Sequence, residues 1–317
     1  MLFRTVPRSH TNIDFRNLLI EKETFNIFKY QYFYNGGGTA VGDFNNDGLM
    51  DLVFTGNMVK NRLYLNEGNF EFKDATQDSG IADHEGWCTG ATPIDINQDG
   101  WLDLYICRAG YPFDHLRSNL LFINQGGTGK SVQFVEKSAD YGLGDLGHST
   151  QASFFDYDKD GDLDLFLINH STVEYSRGSL DIYQIKGKKN PEFANKLFRN
   201  DGTTFTNVTE AAGITANVLT FSLGVNTCDI NQDGWPDIFV SNDFNEPDYL
   251  FINQKNGTFK EELRERFDHT SLFSMGCDVA DFNGDARPDL VASICCPKVT
   301  TSKKCTPAPI ISRKFTP

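Results

Sequence analysis

Apolar residues recur along this chain in short runs separated by acidic or glycine-rich turns, and no segment carries helical periodicity of any length. One set of runs reads "DLVFTG", "DLYICRAG", "DLFLINH" and "DIFVSND", beginning at Asp51, Asp103, Asp164 and Asp237. A second set follows each of them: "NRLYLNEG", "SNLLFINQGG", "NKLFRNDG" and "DYLFINQKNG". Then comes a phenylalanine-led stretch and a glycine. Short apolar runs bounded by turn residues predict strands, so each unit reads as four strands joined by tight turns. In the first unit the strands are predicted at Thr39–Asp43, Asp51–Thr55, Arg62–Asn66 and Phe70–Thr76.

The turn between the first and second strand has one spelling throughout: "DFNNDGLMD", "DINQDGWLD", "DYDKDGDLD", "DINQDGWPD" and "DFNGDARPD". These loops start at residues 43, 95, 156, 229 and 281, giving steps of 52, 61, 73 and 52 residues, the length of a propeller blade with insertions. Oxygen-bearing side chains at positions 1, 3, 5 and 9, with a turn-forming residue at 6, can wrap around one hard cation as an EF-hand loop does. Unneutralised, those carboxylates would repel one another. Position 9 closes the loop three residues sooner than in an EF-hand, which suits a hairpin between strands. The predicted ligands are Asp43, Asn45, Asp47, the Leu49 carbonyl and Asp51 in the first loop, and Asp95, Asn97, Asp99, the Trp101 carbonyl and Asp103 in the second. In the third they are Asp156, Asp158, Asp160, the Asp162 carbonyl and Asp164. The fourth offers Asp229, Asn231, Asp233, the Trp235 carbonyl and Asp237, and the fifth Asp281, Asn283, Asp285, the Arg287 carbonyl and Asp289. Up to five Ca2+ ions are expected.

From about Leu2 to Ser293 the sequence resembles the FG-GAP/VCBS repeat propellers related to the integrin alpha-chain head, and within them the cartilage acidic protein and UnbV group. The resemblance rests on the five loops, the "LYLN" and "LFIN" strands, and linkers such as "FYNGGGTAVGDFNNDG" and "SLFSMGCDVADFNGD". It implies an all-β fold of four-stranded β-propeller blades, of which this chain supplies four and two halves of the usual seven. Residues 1–35 are read as a lead-in holding the fourth strand of a preceding blade, since "FRTVPRSHTNI" is similar to "FKDATQDSGI". Residues 36–294 are read as the repeats. Residues 295–317, with Lys298, Lys303, Lys304, Arg313 and Lys314 and no acid, read as a basic, disordered or out-of-register tail. The rest of the same propeller is then an expected partner.

Charge fits the metal reading. The formal net charge is −14, and the predicted side-chain ligands account for 16 of the 43 acidic residues, so five divalent cations would bring the net charge to −4. The chain lacks the basic patch that nucleic acid or an anionic membrane needs. No stretch is long and apolar enough to span a membrane, and no leader ending in small residues opens the sequence. Weak calcium loops nonetheless point outside the cell, where calcium is millimolar. Seven cysteines show no ligand spacing. A Cys88–Cys107 disulfide is not favoured, because symmetric pairing about Asp99 sets Ala91 opposite Cys107.

Catalytic spellings are absent. In "NQGGTGKS" Asn124 stands where a phosphate loop needs its first glycine, there is no GxSxG, and His84-Glu85 lacks a second histidine one turn on. Ligand contacts are expected at the second-to-third and fourth-to-first strand connections. The candidates there are Arg108, Tyr111, His115, Arg117, His148, His170, Arg177, Asp243, Asn245, Glu246 and Asp248. The sequence therefore predicts a calcium-stabilised, non-enzymatic binding or adhesion module outside the cell with a protein or carbohydrate ligand. The alternatives are a propeller-type lyase or hydrolase acting on carbohydrate, and a truncated fragment without a function of its own.

Overall fold

The computed structural model describes residues 4–111, 113–127, 131–172, 185, 188–215, 217–244, 246–271 and 273–294. The chain divides into two compact units, residues 1–149 and 150–317. The first holds two antiparallel four-stranded sheets: β1 (Thr39–Gly42), β2 (Asp51–Phe54), β3 (Arg62–Asn66) and β4 (Phe72–Asp74), then β5 (Trp87–Ile94), β6 (Asp103–Ala109), β7 (Leu120–Asn124) and β8 (Phe134–Glu136). The second begins within β9 (Ser149–Phe155), whose sheet continues with β10 (Asp164–Asn169), β11 (Lys196–Asn200) and β12 (Phe205–Asn207). Another four-stranded sheet follows, made of β13 (Ser222–Cys228), β14 (Asp237–Asn242), β15 (Tyr249–Asn253) and β16 (Phe259–Glu261). A pair, β17 (Ser274–Ala280) and β18 (Asp289–Ile294), completes the described residues. Within each sheet every strand pairs with the next in sequence, as consecutive hairpins require. Among the described residues no helix is long and apolar enough to cross a membrane.

Burial changes across each sheet in a way the sequence explains. Every residue of β6, β10 and β14 is buried, since a sheet covered on both faces calls for an unbroken apolar run rather than alternation. The fourth strands are three residues long with one buried residue leading, Phe72, Phe134, Phe205 or Phe259, and they present short polar edges. Side chains of neighbouring sheets meet in shared cores. Phe44, Val53 and Leu63 pack with Leu104, Ile106 and Phe122 in the first unit, and Phe155, Phe166 and Ile168 with Ile238, Val240 and Phe251 in the second.

The fourth strand ends earlier than its apolar pattern predicts. In the first sheet it stops at Asp74, whose Oδ1 accepts the N–H of Thr76 at 2.9 Å and turns the chain into the helical turn Thr76–Ser79. Glu136, Asn207 and Glu261 capture the amides of Ser138, Thr209 and Leu263 in the same way. A local side-chain acceptor here outcompetes the ladder. The turns at Thr76–Ser79 and Ser138–Tyr141 close on left-handed Gly80 and Gly142, and the lead-in turn Arg8–Thr11 closes on Asn12 in the same conformation. The lead-in thus repeats the local structure found at the end of a sheet. It then runs over the second-to-third strand end of the first unit, stacking Phe15 on Phe54 at 5.2 Å and Phe25 on Tyr111 at 4.9 Å.

One register differs from expectation. Ala91 faces Ile106, not Cys107, because the hairpin sets Ile94 rather than Asp95 opposite Asp103 and that one-residue offset runs back to Ala91; a bulge between Cys88 and Ala91 then shifts the pairing further. Cys88 faces Arg108, and Cys88, Cys107, Cys228 and Cys277 are free thiols.

Neighbouring sheets are also tied by a repeated polar link at the start of each third strand. Asn61 Oδ1 accepts the N–H of Gly56, Asn119 Oδ1 that of Arg108, and Asn195 Oδ1 that of Asn169, each at 2.7–3.0 Å. The Asn61 and Asn195 amide groups reach the first strand of the following sheet of the same unit, at Cys88 Sγ and Ser222 Oγ, and that of Asn119 reaches Ser149 Oγ. The fourth sheet has Asp248 in this role, accepting from the Asn242 N–H at 2.9 Å and from Ser274 Oγ at 3.0 Å. Burial pushes its carboxyl up to about 6, against bonds that favour the charged form. A carboxyl whose folded pKa is raised holds extra protons in the folded state. Its contribution is complete below the unfolded value and lost as pH rises from about 4 through about 6. Asp248→Asn, which copies the other three links, is therefore expected to stabilise the chain at pH 7 by about 1–3 kcal/mol and to change little at pH 4. Chemical denaturation at the two pH values measures this; equal effects at both would contradict it.

Candidate metal centres in the acidic loops

Each acidic loop folds around its own carboxylates. The position-1 Oδ2 accepts the position-6 N–H in all five loops, from Gly48 to Asp43, Gly100 to Asp95, Gly161 to Asp156, Gly234 to Asp229 and Ala286 to Asp281, at 2.7–3.2 Å. The position-5 Oδ1 accepts the position-7 N–H of Leu49, Trp101, Asp162, Trp235 and Arg287. Turning these amides inward requires two left-handed residues per loop. Position 6 has φ of +84° to +98° at the four glycines and +62° at Ala286. Position 4 is also left-handed, at Asn46, Gln98, Lys159, Gln232 and Gly284. The fifth loop has exchanged its residues, with glycine at 4 and alanine at 6. A run of inward amides of this kind forms a concave nest for anionic oxygens.

Position 9 has a role that ligand spacing does not reveal. Asp51, Asp103, Asp164 and Asp237 are fully enclosed. In each, Oδ2 accepts the position-2 N–H, of Phe44, Ile96, Tyr157 or Ile230, at 2.9–3.1 Å. Oδ1 accepts the N–H of the last residue of the third strand, Asn66, Asn124, Asn200 or Asn253, at 2.7–2.9 Å. That asparagine in turn donates to the loop, as Asn124 Nδ2 does to Leu102 O and also to Phe44 O of the neighbouring loop. Asn253 Nδ2 does the same with Pro236 O and Tyr157 O. The closing "N" of "LYLN" and "LFIN" is the sequence signal for this contact. Burial outweighs the amides and pushes Asp51 and Asp237 up to about 6, and Asp103 and Asp164 up to about 7.

The five predicted ligand sets are not equivalent. In the first, second and fourth loops the position-3 asparagine donates Nδ2 to the position-5 carboxylate, Asn45 to Asp47, Asn97 to Asp99 and Asn231 to Asp233, at 2.9–3.1 Å. The fourth has further relief from Lys255, 3.3 Å from Asp233. In the fifth, Asn283 Nδ2 turns to Asp289 Oδ1 at 3.2 Å, where the other loops place a third-strand amide. The third loop has Asp158 at position 3, which cannot donate. Carboxylate oxygens of Asp156, Asp158 and Asp164 lie within 4.8 Å of one another, the one such acidic cluster among the described residues. Oδ1 of Asp156, of Asp158 and of Asp162 is buried with no hydrogen-bond partner. Burial, then the charge of Asp160, raises Asp158, and the same two causes push Asp162 up to about 6. Oxygen ligands without donors, held together against their repulsion, fit a hard divalent cation.

The opposite end, where ligand contacts were expected, uses its polar residues internally. Arg108 is buried and donates Nε, Nη1 and Nη2 to the carbonyls of Ser118, Glu85 and His115. Arg117 is buried too, bound to the carbonyls of Leu146 and Tyr111 and to Asp114 Oδ1. His148 Nδ1 accepts the Gly110 N–H at 3.2 Å. His170 is fully enclosed, its Nδ1 3.0 Å from Ser171 O, and burial pushes its pKa down to about 4. Asp243, Glu246 and Asp248 are buried as well, whereas His115 is exposed and Tyr111 half-buried. Arg177, Asn245 and the basic tail lie outside the described residues.

A sequence profile for FG-GAP-like repeats matches residues 43–106 and 229–292, which hold the first and second loops and the fourth and fifth. Cartilage acidic protein 1 of Mus musculus is 25% identical over 268 residues, and that of Homo sapiens 24% over 264, each alignment covering 80% of this chain. The chain spans 39% and 38% of those two relatives. Among solved structures, an Agrocybe aegerita lectin that recognises non-reducing terminal N-acetylglucosamine aligns at 17% identity and a TM-score of 0.42, over 80% of this chain and 60% of the lectin. A Bacillus licheniformis rhamnogalacturonan lyase aligns at 12% and 0.39, over 81% and 55%. The repeated loops, the sheets of four consecutive strands and the matched segments agree: this chain is an all-β protein of four-stranded antiparallel sheets that carries FG-GAP-like repeats at residues 43–106 and 229–292 and is similar in sequence to cartilage acidic protein 1.

Proposed function

We propose that the chain is a calcium-stabilised binding module that acts outside the cell. The observation that carries this reading is the third loop, where three enclosed carboxylate oxygens have no donor and three carboxylates converge. Such an arrangement is unfavourable as an empty cage and favourable around a divalent ion. Asp156, Asp158 and Asp164 would hold the ion there, with the Asp162 carbonyl and Asp160 completing an all-oxygen shell. The ion supplies charge neutralisation and rigidity. The chain's own residues supply the fixed turn: the inward amides of Gly161 and Asp162 hold Asp156 and Asp160, and the Asn200 and Tyr157 amides hold Asp164. Loops of few ligands on a short hairpin bind calcium weakly, which suits extracellular calcium. A module of this kind would present its ligand, a protein or a carbohydrate, to a surface organised by the loops.

Calcium in large excess should raise the unfolding free energy by about 2–3 kcal/mol relative to chelator for each site filled at a hundredfold over its Kd. Calorimetry with the same melting temperature in both conditions would defeat the reading. The third loop should bind most tightly. Asp158→Asn should weaken it, and should stabilise the chain in chelator, because an amide there can donate to Asp160 as Asn97 does to Asp99. Loss of stability in chelator would contradict that.

The fifth loop should bind most weakly. Ala286 holds a left-handed φ of +62°, a conformation that costs a non-glycine residue on the order of 1 kcal/mol. Ala286→Gly should therefore tighten calcium binding about fivefold and raise stability. Calcium titration of the variant with unchanged affinity would refute it.

A further inference from the structure

A cleft of about 470 Å3 opens at the loop end of the second unit, between the third and fourth sheets. Its volume lies within the roughly 300–1,000 Å3 typical of small-molecule sites. Its apolar side is Val208, Ala211 and Ala212, from the turn after β12, together with the Tyr157 ring. Trp235, the indole-bearing residue at position 7 of the fourth loop, also lines it. Lys159 Nζ stands 4.7 Å from the centre of that indole, so the third and fourth loops meet around the ring. The polar rim is Arg199 from β11, Lys255 from the β15–β16 turn, and Asp158 of the third loop.

Each part of this lining has a use in one kind of ligand. An indole face beside small apolar residues accepts the C–H face of a pyranose ring, and Trp235 is half-buried, with Lys159 holding the ring from one side while part of the side chain stays exposed. Arg199 and Lys255 have partners at 2.8 Å and 3.3 Å, Asp201 and Asp233, but their side chains stay 43% and 45% exposed and can accept a second anion. Asp158 is the one acidic side chain of the lining. On the proposed function its charge is spent on the third-loop cation, which leaves the rim cationic. Arg108, Arg117 and His148 on the opposite end are engaged in internal hydrogen bonds.

We propose that the cleft binds an acidic saccharide, with a sugar ring stacked on Trp235 and its carboxylate set against Arg199 and Lys255. This deepens the binding-module reading and rests on it for the neutralisation of Asp158. The test uses a matched pair, the glucuronate disaccharide glucuronosyl-glucose and neutral cellobiose, titrated into the full chain at millimolar calcium and followed by calorimetry or NMR. The acidic sugar should bind about tenfold more tightly than cellobiose. Arg199→Gln should lower its affinity about tenfold while the calcium-induced rise in melting temperature stays intact, and Trp235→Leu, which keeps the backbone carbonyl predicted to ligate in the fourth loop, should also lower it about tenfold. Leucine already occupies position 7 of the first loop as Leu49, so the tryptophan variant keeps a side chain that the turn accommodates. Absence of glucuronate binding alongside an intact calcium response would overturn the site and leave the calcium reading standing. Unchanged affinity in both variants would also overturn it, as would preference for a poly-glutamate peptide over the sugar, which would assign the cleft to acidic protein. Binding that persists in chelator would keep the site while removing its dependence on the third-loop cation.

Discussion

The buried aspartate at the ninth position of the first four loops is the contact on which the repeat depends. One carboxylate fastens the loop's start through one oxygen and the end of the third strand through the other, so the first three strands of a sheet are set by a single side chain. The asparagine that receives it passes the constraint on to the preceding loop, as Asn124 does at Phe44 O and Asn253 at Tyr157 O. Burying a carboxylate is costly, and the raised pKa values of Asp103 and Asp164 record that the two amides do not fully offset it. A nearby cation is the natural remedy. The structural clamp and the proposed metal site are then one device, with the clamp setting the ninth ligand before any ion arrives.

Much of this was legible in the sequence because repetition removes ambiguity. Five copies of one loop at blade-length steps fix the hairpin, and the third strand was placed residue for residue at Arg62–Asn66. The left-handed position 6 was legible from four glycines. Position 4 was not, because asparagine, glutamine and lysine do not advertise a positive φ; Gly284 was the one hint. The Ala91–Cys107 pairing failed because the hairpin sets Ile94 opposite Asp103, one residue off the symmetry about Asp99. Part of the expected ligand face is used internally, for another reason. Arginine, histidine and aspartate in loops look functional, but a connection whose backbone is buried must also satisfy its carbonyls and amides, and Arg108, Arg117 and His148 are consumed by that task.

Departures from the repeat carry the information about function. Asn at the third position of the first, second and fourth loops lets the loop rest without an ion, since its amide bridges to the fifth-position carboxylate. Asp158 abolishes that option and brings the acidic cluster together. The same residue borders the cleft with Trp235, Arg199 and Lys255, so the loop that most needs an ion also stands beside the cleft proposed to bind sugar. A rigid scaffold with variation confined to its loop tips is the usual way such folds acquire specificity.

Amide hydrogen exchange, resolved by residue in chelator, tests the ninth-position clamp most directly. The N–H groups of Phe44, Ile96, Tyr157 and Ile230 lie in acidic loops, where amides ordinarily exchange fast, yet each is bonded to a buried carboxylate. If the clamp organises the repeat, these four should exchange only with global unfolding, as slowly as the central strand amides of β6 and β14. Exchange at the rate of their exposed loop neighbours would contradict the account.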